Sequence, residues 1–113
     1  MNNYHLKVIE NNNFSEDKVL IKEKEIFFLS YENNRNISAK LTIAYSPNKW
    51  LIDENALDRY LIKFKEKPFY VEMLVNIILD DIVNTLSPFD CEVTCILTMK
   101  NGLSLETKVK HKI

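Results

Sequence analysis

Glycine is nearly missing from this chain, with Gly102 its single example. A phosphate-cradling loop or a dinucleotide fingerprint needs several glycines at fixed spacing, so both are excluded. Cysteine is almost as scarce, with only Cys91 and Cys95. In a strand their Cα atoms lie roughly 13 Å apart, beyond disulfide reach. They read as small buried apolar residues. These two thiols alone are too few for a zinc site, and His5 and His111 lie far from each other near the termini, so no metal is expected. There is no surplus of positive charge either: 15 Lys and Arg face 16 Asp and Glu, for a net charge of −1. That balance carries no electrostatic footprint for nucleic acid or an anionic membrane, and neither is expected as a partner. No apolar run approaches the roughly 18–20 residues that span a bilayer. The polar, Asn-rich start is not that of a secretory signal. The expected compartment is the cytoplasm.

What is present suits one globular domain. The chain has 113 residues, 46% of them hydrophobic and 27% charged, enough for a real core and too short for two. Its organising stretch runs from Phe69 to Leu86, between Pro68 and Pro88. Proline suits a helix entry and a helix stop, which predicts a long helix beginning just after Pro68. From Val71 to Leu86 the polar residues are few: Glu72, Asn76, Asp80-Asp81 and Asn84-Thr85. A carboxylate in the first turn of so apolar a helix is the most informative residue of the chain.

The remaining elements follow from periodicity. Tyr4 to Ile9 is a short candidate strand, and Val19-Leu20-Ile21 a second apolar patch. Glu25 to Ser30 reads as a strand with an aromatic centre. Residues 31–36 form a polar loop, too long for a tight hairpin. Ala39 to Ser46 alternates cleanly, as a half-buried strand does, and Pro47 stops it. Asp53 or Asn55 can cap a helix running to about Phe64. Cys91 to Met99 alternates again, Lys100-Asn101-Gly102 makes a hairpin turn, and Leu103 to Val109 closes the chain as a strand. Lys108, Lys110 and Lys112 then blunt an exposed edge. The order strand-strand-helix-helix-strand-strand implies an α+β fold, an antiparallel sheet with two helices on one face. Residues 1–24 read as an N-terminal extension with short strands, and 25–113 as the single domain. A small sheet with open edges is completed by pairing copies edge to edge, so a homo-oligomer or a partner subunit is expected.

Five landmarks carry a resemblance. They are Leu41-Thr42-Ile43-Ala44-Tyr45-Ser46-Pro47, Leu57-Asp58-Arg59-Tyr60-Leu61, Tyr70-Val71-Glu72, Asn76-Ile77-Ile78-Leu79-Asp80-Asp81-Ile82 and Lys100-Asn101-Gly102. Through them the span from Glu25 to Leu105 resembles the 7-cyano-7-deazaguanine reductases, the NADPH-dependent nitrile reductases of the queuosine pathway. The resemblance implies a tunnelling fold assembled into rings. It also implies a site, position by position. The family's nucleophilic Cys falls on Ser30 and the Pro after it on Tyr31. The catalytic Asp falls on Ile37 and its preceding Pro on Asn36. The His before the retained Glu72 is Val71. The cofactor-associated Glu-Ser-Lys-Ser-Leu-Lys stretch is Asp53-Glu54-Asn55-Ala56-Leu57-Asp58, with both lysines gone.

These replacements compound chemically. A thioimide needs a soft thiolate nucleophile, which a serine hydroxyl without a neighbouring base does not replace. With Asn55 and Asp58 in place of the two lysines, attraction for the phosphates of NADPH turns into repulsion. No residue is therefore assigned a catalytic role, and no cofactor is expected unless the family activity persists, when it is NADPH. Glu72 has two readings. It anchors a flat purine- or pterin-like base by accepting hydrogen bonds from its N–H edge, or it complements the helix N-terminus electrostatically. Asp80 and Asp81 read as a solvated helix face, and Trp50 as either a subunit contact or a cap on the core. Three functions stay open: a catalytically degenerate, ring-forming binding or interaction module with a purine-like pocket at Glu72; an enzyme with different chemistry in the same intersubunit pocket; and a purely structural or partner-binding protein.

Overall fold

A computed structural model describes residues 5–12 and 18–112. In chain order the elements are β1 (Val8–Glu10), β2 (Leu20–Ser30), β3 (Asn36–Ser46), β4 (Trp50–Ile52), α1 (Glu54–Ile62), β5 (Pro68–Phe69), α2 (Val71–Leu86), β6 (Asp90–Thr98) and β7 (Ser104–Lys112). The six main elements follow the expected order, and β4 and β5 are short additions to it. Tyr4, where the first strand was expected to start, lies outside the described residues.

Period-two patterning builds the main sheet, whose strand order is β5-β2-β3-β6-β7. Ala39, Leu41, Ile43 and Tyr45 of β3 point to one face, as do Cys91, Val93 and Cys95 of β6, and all are buried. Every pairing is antiparallel except β2 with β5, which is parallel. β1 and β4 form a separate antiparallel pair. The helices pack on the apolar face. α2 turns Leu74, Val75, Ile78, Leu79, Ile82 and Leu86 inward, the i, i+4, i+8 stripe of an amphipathic helix, and packs on β6 and β7. The opposite face is polar and self-paired, with Lys40 to Glu23 at 3.2 Å and the Ser38 hydroxyl donating to Glu25 at 2.7 Å.

β3 begins at Asn36 rather than Ala39 and β7 runs to Lys112 rather than Val109, and three further boundaries differ from the sequence reading. First, α2 begins at Val71, not directly after Pro68. Pro68 and Phe69 pair with Leu29 and Ser30 instead, and Tyr70, extended at φ −80 and ψ 144, is the N-cap. The helix ends at Leu86, where Ser87 takes the left-handed conformation at φ 45 before Pro88. Second, α1 ends at Ile62 rather than Phe64, with Asp53 as its N-cap. Phe64 is nonetheless buried. Third, β2 starts at Leu20 and runs unbroken through residues 24 and 25, where the sequence put the domain start. Lys22 and Lys24 occupy core-side positions of that strand and hide its apolar period.

Those lysines have partners on α1. Lys22 pairs with Glu54, and Lys24 lies 3.0 Å from Glu54 and 2.8 Å from Asp58. The hydrogen bonds to both lysines hold the Glu54 carboxyl below its ordinary pKa, and those to Asp58 and Glu54 hold the Lys24 ammonium above its own. A depressed carboxyl contributes stability above its unfolded pKa and loses it as pH falls through the folded one. A raised lysine contributes below its ordinary value and loses it as pH climbs through the folded one. The cluster is half-exposed, so Glu54→Gln should cost below about 1 kcal/mol at neutral pH. Urea titrations should show that difference vanish in acid, once Glu54 is itself protonated, and shrink with salt.

Both hairpins close through their turns. At the second, Gly102 takes φ 85 and donates to the Met99 carbonyl at 3.0 Å, as the Asn-Gly signal predicts. The first is tighter than expected. Ser30 N–H donates to Arg35 O at 2.8 Å, and Asn34 N–H to Ser30 O at 2.8 Å with Asn34 at φ 55. Asparagine tolerates that conformation, which lets a polar loop close.

Candidate functional site

One end of the sheet gathers the positions that the sequence singled out. Ser30 is the last residue of β2 and Ile37 the second of β3, where it pairs with Phe28. The parallel bridge of Ser30 to Phe69 brings the start of α2, with Val71 and Glu72, beside them. Residues far apart in sequence are therefore neighbours because β5 docks on the end of β2.

Each side chain has a definite task there. The Ser30 hydroxyl accepts a hydrogen bond from Glu32 N–H at 3.3 Å, which makes it part of the turn. Among the described residues no carboxylate or imidazole is hydrogen-bonded to it. Ile37 and Val71 are half-buried and pack against the core. Ile37 also borders a hollow of about 430 Å³, with Phe27, Phe28 and Lys65 among its walls. Glu72 is different. It is exposed, its backbone carbonyl accepts the Asn76 side-chain amide at 2.8 Å, and its carboxylate has neither cation nor donor among the described residues.

Two residues before Glu72, at Tyr70, lies a feature that the sequence did not suggest. Tyr31 and Tyr70 stack with ring centroids 4.6 Å apart and planes 30° from parallel. Both stay half-exposed, at 55% and 46%. Tyr31 N–H donates to Phe69 O at 3.2 Å and ties the loop to β5. Neither residue carries a sequence signal for the other, because only the β2–β5 bridge makes them meet.

The other candidates fall elsewhere. Asp80 is exposed, as a solvated face requires, but Asp81 corrects that reading. It is half-buried, accepts the Tyr60 hydroxyl at 2.5 Å and lies 3.7 Å from Lys63. Burial first, and then this bond, push the Tyr60 phenol far above its ordinary pKa. Asp81 thus joins α2 to α1. His5 borders a shallow hollow of about 160 Å³ with Tyr60, Lys63, Asp81 and Thr85, and His111 pairs with Cys91 across β6 and β7. Both thiols are free and buried, and burial pushes Cys91 up to about 12 and Cys95 up to about 11. Such thiols are not thiolates at neutral pH. Trp50, opposite Glu10 on β1, stays 39% exposed. Among the described residues no three His, Cys, Asp or Glu side chains are grouped to hold a metal, and no helix is long and apolar enough to cross a membrane.

Known proteins share this architecture and sequence. The archaeosine synthase QueF-Like, in its apo form, superimposes with a TM-score of 0.76 over 81% of this chain and 91% of its own, at 12% identity. That likeness establishes the fold, the tunnelling fold of the sequence reading. NADPH-dependent 7-cyano-7-deazaguanine reductase of Thermomicrobium roseum is 35% identical over 74 residues, 66% of this chain and 58% of that enzyme. The enzyme of the same name from Syntrophus aciditrophicus is 31% identical over 74 residues, 66% of this chain and 53% of its own length. The chain thus spans a little over half the length of these two relatives. Residues 38–113 match the model of the QueF-like protein family. The reductase resemblance read from the five landmarks holds, and this chain belongs to the QueF-like protein family.

Proposed function

We propose that this chain is a non-catalytic QueF-like module that binds a flat purine-like base at Glu72 and assembles through its sheet edges. The observation that carries the reading is the contrast at one end of the sheet. Ser30 is engaged in a turn and Ile37 and Val71 in the core, while the Glu72 carboxylate is exposed and has no partner among the described residues. A carboxylate offers two acceptor oxygens, which suit the paired N–H donors of a guanine-like edge. The relatives are named for 7-cyano-7-deazaguanine, a base of that kind.

Reduction is a poor fit to the same residues. NADPH phosphates call for cations, but the start of α1 offers Asp53, Glu54, Asn55 and Asp58, and the nearby Lys22 and Lys24 are already paired to Glu54 and Asp58. Assembly is favoured by open edges. Among the described residues, the outer sides of β7 and of residues 20–28 in β2 have no strand partner, and such edges pair readily.

Guanine and 7-deazaguanine should raise the melting temperature, and Glu72→Ala should remove the shift. NADPH oxidation with 7-cyano-7-deazaguanine should not exceed a protein-free control; oxidation above it would restore the reductase reading. If no compound of a purine and pterin panel moves the melting temperature, the structural or partner-binding reading replaces this one. The packing of Ile37 and Val71 into the core already favours that second reading over a different chemistry.

A further inference from the structure

We propose that Tyr31 is an internal plug for the aromatic wall beside Glu72, so that a flat heteroaromatic ligand must displace its ring to bind. The inference rests on the binding reading above and concerns how that site is controlled. Tyr31 opens the loop after β2, Tyr70 is the N-cap of α2, and Glu72 follows two residues later. The tyrosine rings stack at 4.6 Å, so one covers a face of the other that a flat base would use.

The backbone on both sides of this contact is held. Tyr31 N–H is bonded to Phe69 O, and the turn behind it is closed by Ser30 N–H to Arg35 O and Asn34 N–H to Ser30 O. The Tyr31 side chain is not held in the same way. It is 55% exposed, and among the described residues no hydrogen bond restrains either phenol. An exposed side chain of this kind changes rotamer within nanoseconds. An aromatic pair held by ring contact alone is worth enough to favour the covered state and little enough to yield.

A flat base offers what the Tyr31 ring does not, an N–H edge for the acceptor at Glu72 together with a stacking face. Ligand and Tyr31 then compete for one surface, and the apparent affinity falls by the fraction of molecules in which Tyr70 is uncovered. An aromatic pair of ordinary strength sets that penalty at roughly three- to tenfold.

The test titrates 7-deazaguanine into the full chain by calorimetry, with Tyr31→Ala, Tyr31→Ser, Tyr31→Phe and Glu72→Ala compared with the native protein. Tyr31→Ala and Tyr31→Ser should each bind roughly three- to tenfold tighter. Tyr31→Phe, which keeps the ring, should bind as the native chain does. Adding Glu72→Ala to Tyr31→Ala should abolish the gain. Equal or weaker binding by both ring-deleted variants, with native binding still dependent on Glu72, overturns the plug and leaves the binding reading intact. Absence of binding by the native chain and by both ring-deleted variants overturns the two together, as does tight binding that survives Glu72→Ala.

Discussion

Ile78→Ala should lower the unfolding free energy by about 2–5 kcal/mol, and Glu72→Ala by no more than about 0.5 kcal/mol. Both residues lie on α2, so the pair separates what this helix does for the fold from what it offers a ligand. Ile78 is fully buried in the cluster that α2 shares with the sheet. Truncating it removes apolar surface and leaves a cavity that the neighbouring strands only partly close. A domain of this size has about 5–15 kcal/mol of stability, so the loss should appear as a large fall in the urea midpoint with little change of slope. Glu72 is exposed and its carboxylate contacts no described donor, so only its weak interaction with the helix N-terminus is lost. If Glu72→Ala destabilised the chain as much as Ile78→Ala, the carboxylate would have a structural role and the binding reading would lose its support. Protein concentration must be fixed throughout, since assembly shifts apparent stability.

The second large effect is expected between the helices. Asp81→Ala should cost about 1.5–3 kcal/mol, and Tyr60→Phe about 0.5–1.5 kcal/mol. The asymmetry has a physical origin. Removing the carboxylate leaves the hydroxyl of a residue only 1% exposed without its acceptor, whereas removing the hydroxyl leaves an aspartate with 38% of its side chain exposed, which water can solvate. Asp81→Ala also deprives Lys63 of its ion pair, but that ammonium still lies 4.2 Å above the Tyr60 ring. Equal costs for the two variants, or a double mutant that is simply additive, would mean that the 2.5 Å bond does not couple α1 to α2.

The contrast between Asp80 and Asp81 shows how far the sequence was legible. Adjacent residues on a helix point about 100° apart, which is why the sequence reading set a shared chemistry aside. Which of the two meets the other helix depends on where Tyr60 lies, and helical spacing carries no such information. The hidden start of β2 has a similar cause. Period-two patterning reveals a strand only when its inward residues are apolar, and Lys22 and Lys24 are satisfied by acids from a later element. Pro68 misled for a different reason. It is as acceptable in a short edge strand as at a helix start, and the Ser30–Phe69 bridge decides between them.

By itself the sequence determined the fold class, the order of the main elements, the buried cysteines and the family resemblance, because alternation, helical spacing, turn residues and landmark spacing are local properties. Only the tertiary structure decided which distant residues meet. It gathered Ser30, Ile37, Val71 and Glu72 at one end of the sheet, laid Tyr31 on Tyr70, and joined Asp81 to Tyr60. Each of these depends on how β5 and the helices dock on the sheet, a property of the packed chain that no stretch of residues carries alone.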